Sequence, residues 1–436
     1  MSVRPALIGI SLTSVLAAGL GTVATADGAI PARTSDPSVK VVARIPGPGG
    51  TDLEMFSRAL TRYKDASGRF VTSRTPVMRH FAVVGSEKSN TRIIDITKPT
   101  EPFLAAEIPC SLVQGDIQLN EKRSIVLIAS DATGANPKCP IGDDAPMPPG
   151  AAVVSIKDIY HPKVIAAAPA VGGAHNMTLR PDGRWLYIST SEITQATTTV
   201  PIYDLADPSK PKLVNTWVTP GNAPHDIRFN RSGTRAYFAG VSTFRIVDTT
   251  NPAAPVVIST FWPPGATIGH DTLVTDDGAF LLAGDEAGGG ATYPCPGGAI
   301  HVFDIRNEKA PIYLGASYAA AGPVTNRTTE SSETGGVSSC TAHVMDLNPD
   351  RKSLTLGWYS AGSRVFDFHG LYDEAGKPKT TAALAYGARG VGLVEKAWAI
   401  PTGGVTWSAK QYAKVPGYIF ADDLQLGFYV VQLGKR

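Results

Sequence analysis

Four histidines head four similar stretches of this chain. Imidazole is the side chain best suited to holding a transition metal or moving a proton near neutral pH. His175 heads "GAHNMTLRPDGRWLYIS", His225 "APHDIRFNRSGTRAYFAG", His270 "IGHDTLVTDDGAFLLAG" and His343 "TAHVMDLNPDRKSLTLG". Each is followed by an apolar run, a turn built from Asp, Asn, Ser or Gly, and a second apolar run. Either the histidine belongs to a repeated architecture, or several of them meet at one site. Neutral imidazoles supplied by separate rigid strands suit copper, iron or zinc, and they can leave a coordination position open. Carboxylates nearby would orient the ring nitrogens. The candidates are Glu192 and Glu286, which end neighbouring strands, and Asp52 and Asp116, which occupy the matching heads of two further units.

Two other readings compete with a metal. A histidine between repeats can hold its own repeat together by bonding to an acid at the end of the second strand. The acids so placed are Glu87, Asp131, Glu192, Asp285 with Glu286, and Asp422 with Asp423. Histidine and acid fall in the same repeat only twice, which weakens this structural account. The third reading is a polar pocket without a metal.

The elements that must position these residues are repeated. A second signature follows each strand-turn-strand unit, an apolar strand ending near a polar residue and usually followed by a proline turn. It reads "RIIDITKPTEP", "VVSIKDIYHP", "PIYDLADPSKP", "RIVDTTNPAAP", "HVFDIRNEKAP", "RVFDFHGL" and "FYVVQL". The aligned positions are Asp95, Ser155, Asp204, Asp248, Asp304, Asp367 and Gln432. No helical periodicity of useful length competes with them. Four short strands per unit at this spacing predict an all-β, seven-bladed β-propeller of four-stranded blades. The last unit stops after its third strand. "SDPSVKVVARIPGPGG" near the N-terminus has the form of the missing outer strand and is expected to close the last blade.

Composition bounds the rest. The 40 basic and 38 acidic side chains nearly balance, so no strong field draws nucleic acid. The 44 glycines and 34 prolines are spread through the chain, as many tight turns require. Residues 1–26 read as a signal peptide, with Arg4, a small apolar run from Ala6 to Val23, and "ATA" as the cleavage site. A membrane anchor is the alternative there. Residues 27–436 read as one propeller domain with no second run long enough to span a bilayer, secreted and monomeric.

The four cysteines, even in number, then suggest two disulfides. On the blade map, Cys110 lies between blades one and two, Cys139 in the insertion of blade two, Cys295 in the insertion of blade five, and Cys340 just before His343 at the entry to blade six. Only the pairings Cys110–Cys139 and Cys295–Cys340 join neighbours; the other two connectivities would reach across the ring.

The segments "IIDITKP", "RIVDTTNP" and "HVFDIRN" resemble LVIVD repeats, found in exported and surface proteins of bacteria and archaea. "QGDIQL", "GAHNMTL", "CPGGAIHVFDI", "CTAHVM" and "TWSAKQY" are similar to longer members of that group. The resemblance implies a propeller and export, and little about chemistry. The final blade departs from it, with "FYVVQL" where an aspartate is expected.

In a propeller the heads of the inner strands surround one mouth of the central channel, and all four histidines map there, one per blade in blades three to six. Insertions at 131–150, 286–298 and 318–339 map to the same face, which is therefore expected to bind a small molecule or another extracellular ligand. Two functions fit this arrangement. One is a secreted, metal-dependent enzyme acting on a small molecule. The other is a non-catalytic extracellular interaction module with structural histidines.

Overall fold

The computed structural model describes residues 27–112, 114–142, 145–191, 197–220, 222, 224–289, 295, 297–319, 339–384 and 391–434. The expected signal peptide lies outside the described residues, as do parts of the insertions expected at 286–298 and 318–339. The rest is almost entirely β. Seven antiparallel blade sheets follow one another along the chain, each built outward from the channel in strand order apart from N-terminal strands added to blades six and seven. A two-stranded sheet, Asn136–Ile141 with Ala145–Met147, lies in the blade-two insertion. Blade four has the plainest form: Pro224–Phe229, Arg235–Gly240, Thr243–Asp248 and Val256–Phe261.

The seven marks of the sequence all end third strands, from Asp95 in blade one to Gln432 in blade seven. Five of the aspartates do the same work. A carboxylate oxygen accepts the backbone N–H two residues on, at Thr97, Ala206, Thr250, Arg306 and His369, which turns the chain out of the strand. Repetition of that turn gives the blades their common length.

Hydrophobic packing closes the ring. The buried apolar residues fall into seven clusters, and each cluster joins a different pair of neighbouring blades. Strands two and three are apolar on both faces, as in "FLLAGD" and "AIHVFD", because each blade is covered on both sides. Truncating Phe280, fully buried in the blade five–six cluster, would cost about 3–5 kcal/mol.

Closure follows the expectation. Lys40–Ile45 pairs antiparallel with Phe428–Gln432, so the outer strand of blade seven comes from the N-terminal region. The sequence did not suggest a second N-terminal strand, Ala32–Thr34, which pairs with Ala399–Pro401 and gives blade six a fifth strand.

One element departs from the expected distribution of insertions. The first two strands of blade one, Gly50–Lys64 and Phe70–Ser86, are about twice the usual length, and the third strand pairs only with Phe81–Val84. Residues 57–80 therefore leave the blade as a two-stranded ribbon at the face opposite the histidines. Insertions are not confined to the histidine face.

Candidate functional site

A local irregularity, repeated around the ring, aims the channel side chains. In blades three, four and seven the register between strands one and two slips by one residue, and the extra residues are His175, His225 and Trp407. In blades one, two and five the slip spans Thr51–Asp52, Gly115–Asp116 and His270–Asp271. Such a bulge breaks the in-out alternation of the strand and redirects one side chain. His343 reaches its place differently. It precedes the inner strand of blade six and donates its backbone N–H to the Gly357 carbonyl at 3.0 Å.

The four imidazoles form one continuous arc. Ring centroids are 4.3 Å apart for His175–His225, 4.2 Å for His225–His270 and 4.0 Å for His270–His343. The Trp407 ring ends the arc, 4.3 Å from His343. His175 and His225 meet nitrogen to nitrogen, with their Nε2 atoms 2.8 Å apart.

Hydrogen bonds fix the end members. His175 Nδ1 lies 3.1 Å from both oxygens of Asp131, and His343 Nδ1 lies 2.9 Å from the Trp407 carbonyl oxygen. A proton on each Nδ1 satisfies those acceptors and leaves each Nε2 with its lone pair directed into the site. Imidazoles that ligate metals are commonly held in this way. His270 Nδ1 is buried with no hydrogen-bond partner.

Burial keeps these rings neutral. It drives the pKa of His225 and His270 well below the usual histidine value, and the neighbouring imidazoles push in the same direction. Burial likewise lowers His343 to about 4. His225, His270 and His343 are therefore neutral nitrogen donors at pH 7.

Glu286 completes the group. Its carboxylate lies 3.7 Å from His343 Nε2 and 4.0 Å from His270 Nε2, and it accepts a 2.7 Å hydrogen bond from the Tyr359 hydroxyl. Burial raises Glu286 to about 7. Ligand atoms of His225, His270 and Glu286 all lie within 4.8 Å of one another, so the three could hold a metal ion. A lone pair facing a carboxylate is repulsive unless a proton or a metal cation is shared between them. Tyr359 is held with φ of 38°, a left-handed conformation rare for a tyrosine.

The other channel residues have different environments. Lys410 Nζ lies 3.2 Å from Asp52 and 2.8 Å from Glu54. Burial acts to lower the Lys410 pKa, but Asp52, Glu54 and Asp346 outweigh it and hold the ammonium above its ordinary value. The Asp116 carboxylate accepts the backbone N–H of Met177 at 2.9 Å; burial, then Asp52, raises its pKa well above normal. Asp52 and Asp116 do not occupy the histidine position, which Thr51 and Gly115 fill in blades one and two; one residue further on, they belong to a polar layer of the channel and make no bond to the arc. Glu192 lies outside the described residues.

Three participants were not evident from the sequence. Asp131 serves the histidine of the next blade, so a comparison within single blades could not pair them. Tyr359 and the Trp407 carbonyl act through backbone geometry that no local motif announces.

Both disulfides pair as the blade map requires, Cys110–Cys139 and Cys295–Cys340, with Cα separations of 4.0 and 5.0 Å. Gly298, just after Cys295, has φ of 61°, and a Cβ there would collide with Thr341 and the Asp285 carbonyl. The backbone of blade five is therefore pressed against the segment leading to His343.

These features define a seven-bladed β-propeller with a buried histidine–glutamate group at one end of its channel. Comparison of the fold agrees. A Kuenenia stuttgartiensis hydrazine synthase chain is similar over 86% of this chain and 95% of its own, with TM-score 0.56 and 11% identity. The β-propeller domain of Myceliophteria thermophila Cps50 (Swd1) is similar over 93% and 100%, with TM-score 0.52 and 10% identity. A functionally unknown protein from Desulfotomaculum acetoxidans aligns over 83% and 93%, with TM-score 0.50 and 14% identity. At these identities the likeness concerns fold alone. No protein-family model matches the chain, and no curated protein matches it in sequence.

Proposed function

We propose that this is an exported propeller of the LVIVD-repeat kind that binds one first-row transition metal at the channel mouth and uses it on a small molecule. The ligands would come from His175, His225, His270 and His343, with Glu286 beside them. The observation that carries this reading is the unbroken arc of four imidazoles, of which His225, His270 and His343 are buried and neutral, with its end members tied through Nδ1. Packed without a cation, this group leaves His270 Nδ1 unsatisfied and Glu286 facing the His270 and His343 nitrogens. A bound metal would supply Lewis acidity or redox chemistry. The two disulfides fit an oxidising compartment. Among the described residues, no helix is long and apolar enough to cross a membrane.

The test is the metal content of the purified, tag-free protein. We expect about one copper, iron or zinc per chain, lost when His225→Ala and His270→Ala are combined, with the fold retained by circular dichroism. A wild-type protein that stays metal-free at every metal supply would overturn the proposal. The direct 2.8 Å hydrogen bond between His175 Nε2 and His225 Nε2 favours the second reading, an interaction module with structural histidines. On that reading the double variant would unfold, and no metal would be present at the start.

A further inference from the structure

The face opposite the histidines carries two features that the metal site does not use. The first is the blade-one ribbon. Residues 57–80 hold six cations, Arg58, Arg62, Lys64, Arg69, Arg74 and Arg79, against one acid, Asp65, for a net charge of +5. The whole chain has a net charge of +2, so the remainder is at −3. The positive excess of the protein is thus concentrated in one projecting hairpin. Arg79 is bound to Asp95, and Lys64 donates to the Ala105 carbonyl, but Arg62, Arg69 and Arg74 are exposed. Apolar side chains are exposed among them, with Met78 at 52% and Phe70 at 38%. The Arg62 guanidinium lies over the Phe70 ring at 3.8 Å.

The second feature is a rim. Outer strands start at the face opposite the histidines, because four antiparallel strands alternate in direction from a histidine at the head of the first. In blades four to six the outer strand begins with an exposed aliphatic residue, Val256, Ile312 and Val394 at 63%, 48% and 51% exposed, while in blade three the exposed Leu213 follows Lys212 at that position. Their registers fix this placement, since each pairs with or adjoins a third-strand end, as Val256 pairs with Asp248 and Ile312 with Asp304. Soluble surfaces show scattered apolar side chains, but here they recur at one position of consecutive blades.

We propose that this face docks on an anionic lipid bilayer. The ribbon arginines would meet the headgroups, while Phe70, Met78 and the aliphatic rim rest at the acyl boundary. A soluble polyanion would explain the arginines and leave the apolar side chains without a role. A bilayer uses both, through electrostatic attraction and buried apolar area together. Arginine is suited to the position because its stem can lie on apolar surface while its head remains hydrated. Docked in this way, the histidine mouth faces away from the membrane and stays open to solution.

The test is co-sedimentation of the full chain with vesicles of phosphatidylcholine alone and of phosphatidylcholine with roughly a third phosphatidylglycerol. We expect binding to the mixed vesicles at low salt, release at high salt, and no binding to phosphatidylcholine alone. The variant R62Q/R74Q should partition about 25-fold more weakly, at roughly 1 kcal/mol for each arginine. M78S should weaken binding by up to about ten-fold and keep its salt dependence. These side chains are exposed, so thermal melting should be unchanged and serves as the folding control. No binding to either vesicle, equal binding to both, or wild-type binding by R62Q/R74Q would overturn the proposal. Capture by soluble dextran sulfate without vesicle binding would also overturn it and point to a polysaccharide.

Discussion

The head of the inner strand carries different side chains in the two halves of the channel mouth. In blades three to six it presents His175, His225, His270 and His343, rings in contact with one another. In blades one, two and seven it presents Thr51, Gly115 and Trp407, with Asp52 and Asp116 one residue further on and Lys410 three residues beyond Trp407. The second half already contains its cation. Lys410 bonds to Asp52 and Glu54, so a metal placed there would have to displace a buried ammonium. The first half offers nitrogen donors and a carboxylate with no ammonium or guanidinium bonded to it among the described residues. The histidine half has a matching cation three residues past His225, Arg228 paired with Asp226 and Asp271, so the two halves differ in their ring of imidazoles rather than in a single lysine.

The sharpest way to break that contrast is Lys410→Met. Removing one partner of a buried ion pair leaves Asp52 and Glu54 facing each other with little solvent, at a cost of about 3–5 kcal/mol. Urea denaturation should show that loss, while the metal content of the surviving folded protein should not change. A stable variant would mean that the carboxylates are protonated or hydrated, and a loss of metal would mean that the two halves are not independent.

The disulfides divide in the same manner. Cys110–Cys139 and Cys295–Cys340 span sequence separations of 29 and 45, worth about 3–4 kcal/mol each by loop closure. Only the second lies next to a site residue, since Cys340 is three residues before His343. Paired serine variants should both melt earlier. Metal affinity, measured by competition with a chelator, should fall for C295S/C340S and hold for C110S/C139S. Equal affinities would show that the His343 segment is ordered by its hydrogen bonds alone.

What could be read from the sequence follows from what repeats. The aspartate turns recur seven times with one substitution by Ser155 and one by Gln432, so blade number, strand order and closure by "VKVVARI" were all legible. The four histidines were legible for the same reason. The bulges were not, because one extra residue on a strand leaves no compositional trace. The partnership of Asp131 with His175 crosses a blade boundary and was hidden from a comparison within blades. The ribbon was missed because tight turns such as "RPDGR" set the expected strand length. "FSRALTRYKDASGRFVTSRTPVMRHF" exceeds that length on both sides of its "DASG" turn.

The finest test lies within the histidine half and concerns pH. In the metal-free protein, His343 titrates at about 4 when folded, against roughly 6.5 when unfolded. Between those values the unfolded chain binds a proton that the native state refuses, so stability falls as pH drops through that window. His225 and His270, lowered in the same direction, add to the loss. Glu286 acts oppositely. It titrates at about 7 when folded and near 4.5 when unfolded, so the native state holds a proton that the unfolded chain has released. Its contribution to stability grows as pH falls from about 7 towards 4.5. The two effects overlap and offset each other in the wild type. Glu286→Gln removes only the second, so the chelated variant should lose stability on acidification from pH about 7 to about 5 more steeply than the wild type, by on the order of 1–2 kcal/mol. His343→Gln should be less acid-sensitive than the wild type. Urea midpoints across that range read both slopes. Parallel curves for all three proteins would show that the carboxylate and the imidazoles do not titrate as buried neighbours.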